Sequence, residues 1–135
     1  NTHFRTIFIE RAISPDSGLS FFLPRIIGYS RAMDLIMTSR DVDAEEALRI
    51  GLLDRKVDAG NLIEESVALA NQIAKWPPLA VRAAKRVTQQ NLDNNLEDAL
   101  RNEVKHLNFS RRAQNDLKEM LRARAEKRPG TYTGT

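Results

Sequence analysis

With 135 residues, 41% of them hydrophobic and 29% charged, the chain can build one domain with an apolar core but not two ordinary ones, and its composition excludes a disordered polymer. Its 21 Lys and Arg against 18 Asp and Glu leave a net charge of +3, which fits a nucleic-acid surface, an anionic cofactor site or neither, because acidic residues are interspersed almost throughout. The absence of cysteine excludes disulfides, thiolate metal sites and a cysteine nucleophile, and with only His3 and His106 no histidine-rich metal centre is expected.

No apolar run approaches the ~20 residues needed to span a bilayer, and residues 1–5 lack the basic and apolar regions of a signal peptide. A cytoplasmic protein with no membrane partner is the expectation, and a chain opening on Asn rather than Met reads as cut from a longer one.

In chain order, Phe4 to Ile9 alternates apolar and polar residues and predicts a short strand, whose partners must lie elsewhere because so short a strand cannot stand alone. Ser14-Pro15-Asp16-Ser17-Gly18 predicts a turn. Leu19 to Ile27 is a nearly all-apolar segment broken by Pro24 and closed by Gly28, and Ser30 is the expected N-cap of a helix through Met37. Asp43 and Glu46 stand at the N-cap and N3 positions of a further helix, which Gly51 ends from the C′ position.

After an extended connection from Leu52 to Val57, a longer helix places Ile63, Val67, Ala70 and Ala74 on one stripe. Trp76-Pro77-Pro78 stops it, and Pro78 opens the next helix, through about Gln90. Another helix aligns Leu96, Leu100, Val104 and Leu107. The last, roughly 113–126, is expected to bury Leu117, Met120 and Leu121 and to end at Pro129-Gly130, leaving Thr131 to Thr135 frayed. The stripes are wide but modest, so part of their burial is expected from chain outside this sequence or from partner subunits.

The order of these features resembles the crotonase superfamily, the enoyl-CoA hydratase/isomerase family. Pro15 to Gly18, Leu23-Pro24-Arg25-Ile26-Ile27-Gly28 and Ser30-Arg31-Ala32 are similar to its P-x-x-G, L-P-R-x-x-G and S-R-A blocks. Ala44-Glu45-Glu46-Ala47 with Gly51-Leu52, Pro77 to Val81 with Ala84-Lys85, and Glu126 to Pro129 follow in the family's order.

The resemblance implies an α/β crotonase-like (ββα superhelix) fold in a subunit about twice this long, of which this chain is the mainly α-helical C-terminal portion with one or two short strands. Residues 1–28 would end the core, with the last strand, a turn and an acyl-pocket helix. Residues 29–135 would form the helical region, including the C-terminal trimerisation helices of a trimer or dimer of trimers. The oxyanion-hole amides and one hydratase glutamate would lie upstream.

The family binds an acyl-CoA thioester and stabilises an enolate with backbone N–H donors while carboxylates move protons. The CoA thioester is the substrate, and no separate cofactor or metal is implied. Aligned on Pro15, Gly18 and Leu23, the position of the second hydratase glutamate is Phe8; Glu10 stands two residues on and shares the Phe8 face if the strand continues. The alternative for Glu10 is a salt bridge or a turn carboxylate. Asp16 stands where isomerase-type relatives place a catalytic aspartate, and Asp after Pro is also a routine turn former.

Phe8, Leu19, Phe21 and Phe22 would line the acyl pocket or serve as ordinary core. Lys127 matches a lysine that reaches the CoA phosphates, or else is a solvated basic helix end. Phe109 lies beside Asn108, where relatives carry an adenine-facing Phe.

Two further classes stand beside the enzyme. A nucleic-acid-binding module would use the basic last helix, but Asp116, Glu119 and Glu126 interrupt it and no base-reading motif accompanies it. A non-catalytic oligomerisation piece of a split or proteolysed crotonase subunit differs from the enzyme only in whether the upstream half accompanies it.

Overall fold

The computed structural model describes residues 2–135. The chain divides into two compact units, Asn1–Ala59 and Gly60–Thr135.

The first unit opens with β1 (His3–Phe4), which pairs antiparallel with β2 (Val42–Asp43) in the register His3 to Asp43 and Phe4 to Val42. Between them lie α1 (Leu19–Ile27) and α2 (Tyr29–Thr38), and α3 (Ala44–Arg49) follows β2. Leu23 and Ile27, four residues apart on α1, meet Ala32, Leu35 and Ile36 of α2, Val42 and Ala47 to form the core. Phe4, Leu19, Ile50, Leu52 and Leu53 pack around it.

The local signals at α3 hold. Asp43 accepts from the Glu46 N–H at 2.7 Å as its N-cap, and Gly51 adopts φ +81° just beyond its end. The Leu52 N–H reaches the Ala47 carbonyl at 2.8 Å and the Gly51 N–H the Leu48 carbonyl at 3.3 Å, a Schellman closure.

Three expectations are corrected in this unit. The strand expected from Phe4 to Ile9 ends at Phe4, and Ile9–Arg11 is a 3₁₀ turn. Pro24 does not break α1. An interior proline costs about 3 kcal/mol, and the helix continues through it because the Leu23 and Ile27 side chains on either side are buried in the core. α2 begins at Tyr29 with Gly28 as its N-cap, so Ser30 lies inside the helix and caps nothing.

The second unit contains α4 (Leu62–Ala74), α5 (Pro78–Gln90), α6 (Leu96–Ser110) and α7 (Gln114–Ala125). The Pro77-Pro78 break and the Pro78 start are as expected. α5 and α6 pack side by side, joined by a polar seam in which Asn102 Nδ2 donates to Gln90 Oε1 (3.1 Å) and Asn91 Oδ1 (3.0 Å). The α4 stripe and the α6 stripe are exposed, Ile63 to 74% and Leu96 to 75%.

α7 departs most from expectation. Leu117 and Leu121 are exposed and Met120 is half-buried, while Asp116 (4% exposed) and Ala123 are buried. The reason lies in the tail, which is not frayed. The Asp116 carboxylate accepts from the N–H groups of Thr133 (2.7 Å) and Gly134 (2.9 Å). In return the Thr135 carbonyl accepts from Asn115 (2.8 Å) and Asp116 (3.2 Å), two of the orphan first-turn donors of α7. Residues 129–135 thus form a strap along α7.

Candidate functional site

The candidate site residues of the first unit lie in the segment before α1 and in its first turn. Phe8 takes helical angles, φ −60° and ψ −52°, and its carbonyl accepts from the N–H groups of Arg11 (3.0 Å) and Ile13 (3.2 Å). The pleat that would have set Glu10 on the Phe8 face is therefore absent.

Glu10 instead forms an ion pair with Arg5. Its carboxyl is held below the usual carboxylate range by the Ser39 hydroxyl first and by Arg5 after it. That hydroxyl has one proton and donates it to the Thr6 carbonyl at 2.8 Å, so the Arg5 pair is the sturdier contact. Arg5 is itself fixed by donating from Nε to the Ser39 carbonyl at 2.7 Å, and Thr6 Oγ1 donates to the Leu35 carbonyl at 2.7 Å. Glu10 belongs to the stitching between the N-terminal segment and the end of α2, and an ion-paired, acidified carboxylate is a weak proton acceptor.

Asp16 is exposed, and its carbonyl accepts from the Leu19 N–H at 2.9 Å to start α1. Among the described residues no hydrogen bond or ion pair holds its carboxylate. Gly18 follows at φ +82°, and a Cβ there would meet the Phe22 ring at 3.0 Å, so the turn favours glycine and the Phe22 ring lies against it. Phe22 stacks edge-on with Phe21 at 5.1 Å, and the Arg25 guanidinium sits 3.4 Å from the Phe21 ring centroid.

Leu19 faces elsewhere. With Phe4, Leu23, Leu35, Val42 and Leu52 it lines an apolar cavity of about 180 Å³, whose polar members are Arg5, Thr6 and Arg40. Of the expected acyl-pocket residues only Leu19 borders this cavity; Phe22 and Phe21 lie on the exposed side of α1, and Phe8 is half-buried outside the cavity lining.

Arg40 was not foreseen as part of this wall. It grips Glu46 with two bonds (2.8 and 2.9 Å) and Asp34 with a third (2.9 Å), and these partners, Glu46 first, raise its pKa. The signal available was its spacing, six residues from each acid across two helix ends.

Phe109 and Lys127 belong to the second unit. Phe109 is half-buried near the end of α6, with the guanidinium carbons of Arg86 and Arg112 5.9 and 5.8 Å from its ring centroid. Lys127 closes α7 in a Schellman turn, its N–H on the Arg124 carbonyl (3.3 Å) and the Arg128 N–H on the Ala123 carbonyl (3.0 Å). It does so at φ +55°, where glycine is favoured.

Arg128 is committed to Glu119 (2.6 and 3.3 Å) and Glu126 (2.6 Å). Arg128, and then the Thr131 N–H at 3.1 Å, hold the Glu119 carboxyl down at about 2. The Lys127 side chain is exposed and makes no hydrogen bond or ion pair among the described residues. No group of three or more His, Cys, Asp or Glu among the described residues could hold a metal.

A family model described as enoyl-CoA hydratase/isomerase matches residues 1–135. The chain belongs to the enoyl-CoA hydratase/isomerase family.

Within this family it is 36% identical to a probable enoyl-CoA hydratase of Mycobacterium tuberculosis, over 98% of this chain and 47% of that protein. It is 36% identical to a probable mitochondrial enoyl-CoA hydratase 2 of Arabidopsis thaliana, over 91% and 40%. Among solved structures it is similar to the enoyl-CoA hydratase of Bacillus anthracis (TM-score 0.94, 32% identity, 100% of this chain and 52% of that one). A probable enoyl-CoA hydratase/isomerase of Mycobacterium abscessus gives a TM-score of 0.89 at 38% identity, with 98% and 51% covered. The chain thus has the crotonase fold of the family, in a mainly helical portion with one short sheet, and spans about half the length of the relatives it matches.

Proposed function

We propose that this chain is part of an acyl-CoA-processing enzyme that shifts the double bond of an enoyl-CoA, or adds water to it, through an enolate stabilised at the thioester carbonyl, in fatty-acid or related acyl-CoA metabolism. The observation that carries the reading is the family match over all 135 residues. Isomerisation is favoured over hydration by two features of the first unit: Phe8 stands where the hydratase glutamate is expected, and Glu10 is engaged with Arg5.

Asp16 is the proton carrier in this reading. Its carboxylate accepts a proton from the α-carbon of a 3-enoyl thioester, the electron pair passes into the thioester carbonyl, and the proton returns at the γ-carbon to leave the 2-enoyl product. The backbone donors for the oxyanion belong, on this reading, to residues upstream of those in this chain. Phe8, Leu19, Phe21 and Phe22 contribute the acyl wall, while Phe109 and Lys127 meet the CoA moiety. The thioester supplies the electron sink, so the reaction calls for no resident cofactor or metal.

The same proposal includes a homo-oligomer, trimer or dimer of trimers, supported by the exposed apolar stripes of α4 and α6. It also includes a cytoplasmic setting, with neither nucleic acid nor membrane as partner; no described helix is long and apolar enough to cross a membrane.

The test is activity on a short 3-enoyl-CoA and a short trans-2-enoyl-CoA, in the protein that carries this chain and in its Asp16→Asn and Glu10→Gln variants. Asp16→Asn should abolish double-bond migration while Glu10→Gln retains it. Robust hydration destroyed by Glu10→Gln alone would make the enzyme a hydratase.

A further inference from the structure

The end of α7 presents an uncommitted cation on a tightly held, disfavoured backbone. Lys127 sits at φ +55°, a conformation that residues with a Cβ keep only where their surroundings over-determine it. Those surroundings are on both sides. Arg128 is locked to Glu119 and Glu126, the Thr131 N–H donates to Glu119, and the strap beyond returns to the buried Asp116. The guanidinium next to Lys127 is thereby taken up by the protein's own surface carboxylates, whereas the Lys127 ammonium has no partner among the described residues. A flexible lysine loses conformational freedom when it contacts a ligand, and a backbone already fixed on folding reduces that loss.

We propose that Asp116 and Glu119 are positioning residues: by clasping the strap onto α7 they fix the turn that presents Lys127 to the phosphates of a CoA thioester. This rests on the acyl-CoA reading above and assigns the strap a role within it. The strap's two amides divide between the two oxygens of Asp116, so Asp116→Asn would set an amide NH₂ against one of them. Gly134→Val loosens the same clasp without substituting a residue of α7, since a β-branched residue is strained at the Gly134 φ of +80°.

The experiment is steady-state kinetics of the protein that carries this chain with two substrates: a short enoyl-CoA, and the same acyl group as its N-acetylcysteamine thioester, which lacks the phosphates. Lys127→Ala should raise KM for the CoA thioester about tenfold, the worth of one charge-assisted contact. Asp116→Asn and Gly134→Val should each raise it roughly threefold, a misplacement effect. The changes should fall on KM rather than kcat and raise the ratio of the two substrates' KM values. In the Lys127→Ala background Asp116→Asn should add nothing, because both act through one contact.

If Lys127→Ala raises KM and the two strap variants do not, the positioning role is wrong and the CoA contact stands. If Asp116→Asn raises KM equally with and without Lys127, the strap does not act through it, and the inference is also overturned. An unchanged KM in Lys127→Ala removes the CoA contact itself, and the inference with it.

Discussion

Replacing Lys127 by glycine should stabilise the protein and, on the acyl-CoA reading proposed above, weaken its hold on the CoA thioester. The helices α3 and α7 close with the same pair of backbone hydrogen bonds, one with Gly51 at φ +81° and the other with Lys127 at φ +55°. A residue with a Cβ in this region lies about 1–2 kcal/mol above its right-handed conformation. Glycine gives up about 0.5–1 kcal/mol of that advantage because it is freer in the unfolded chain. The balance favours Lys127→Gly by about 0.5–1 kcal/mol, and no side-chain hydrogen bond to the described residues is lost with the lysine.

Lys127→Ala is the control, since it removes the same charge and keeps a Cβ at the same φ. The assay is urea unfolding of wild type and both variants, comparing midpoints at constant slope. Lys127→Gly should lie above Lys127→Ala by about 0.5–1 kcal/mol, and both should show the raised KM. Equal midpoints for glycine and alanine, or a lower one for glycine, would mean that the turn stores no strain at Lys127.

Two further outcomes follow from the packing and the charges. The carboxyl of Glu119, held at about 2 by Arg128 and then by the Thr131 amide, titrates near ~4.3 in an unfolded chain. Its folded pKa is the lower one, so its stabilisation is complete above ~4.3 and disappears as pH falls toward 2. Unfolding midpoints measured from pH ~5 downward should fall less steeply in Glu119→Gln than in wild type, and parallel curves would contradict the pairing. Leu35→Ala should cost about 3 kcal/mol, because Leu35 is 3% exposed and already borders the 180 Å³ cavity, leaving its neighbours little to collapse onto. A loss below about 1 kcal/mol in urea unfolding would show that the cavity wall rearranges.

The parts of this protein legible in its sequence are those decided by neighbours along the chain. Asp43 with Glu46 marked the start of α3, Gly51 its end, and Pro77-Pro78 the break between α4 and α5, because a cap or a proline acts on amides within a few residues. The ordered family blocks were equally plain, and the family match extends over the same residues. The placement of the candidate site was only partly visible. Asp16 and Gly18 were read correctly as a turn, but the angles of Phe8 were not, since apolar alternation cannot tell that hydrogen bonds from Arg11 and Ile13 will curl the segment after Phe4.

Other features were decided by contacts distant in sequence. Pro24 sits inside a helix because the core takes Leu23 and Ile27 on either side of it. Hydrophobicity alone pointed to Leu117 and Leu121 as the buried face of α7, yet the strap buries Asp116, a carboxylate that two backbone amides satisfy. Lys127 was recognisable as a motif residue, but its left-handed backbone was not, because the Arg128–Glu119 pair that helps to fix it joins residues nine apart. Patterns along the chain dictate where helices start and stop, through bonds that span a single turn; which face is buried, and which cation is left free, depends on groups that only folding brings together.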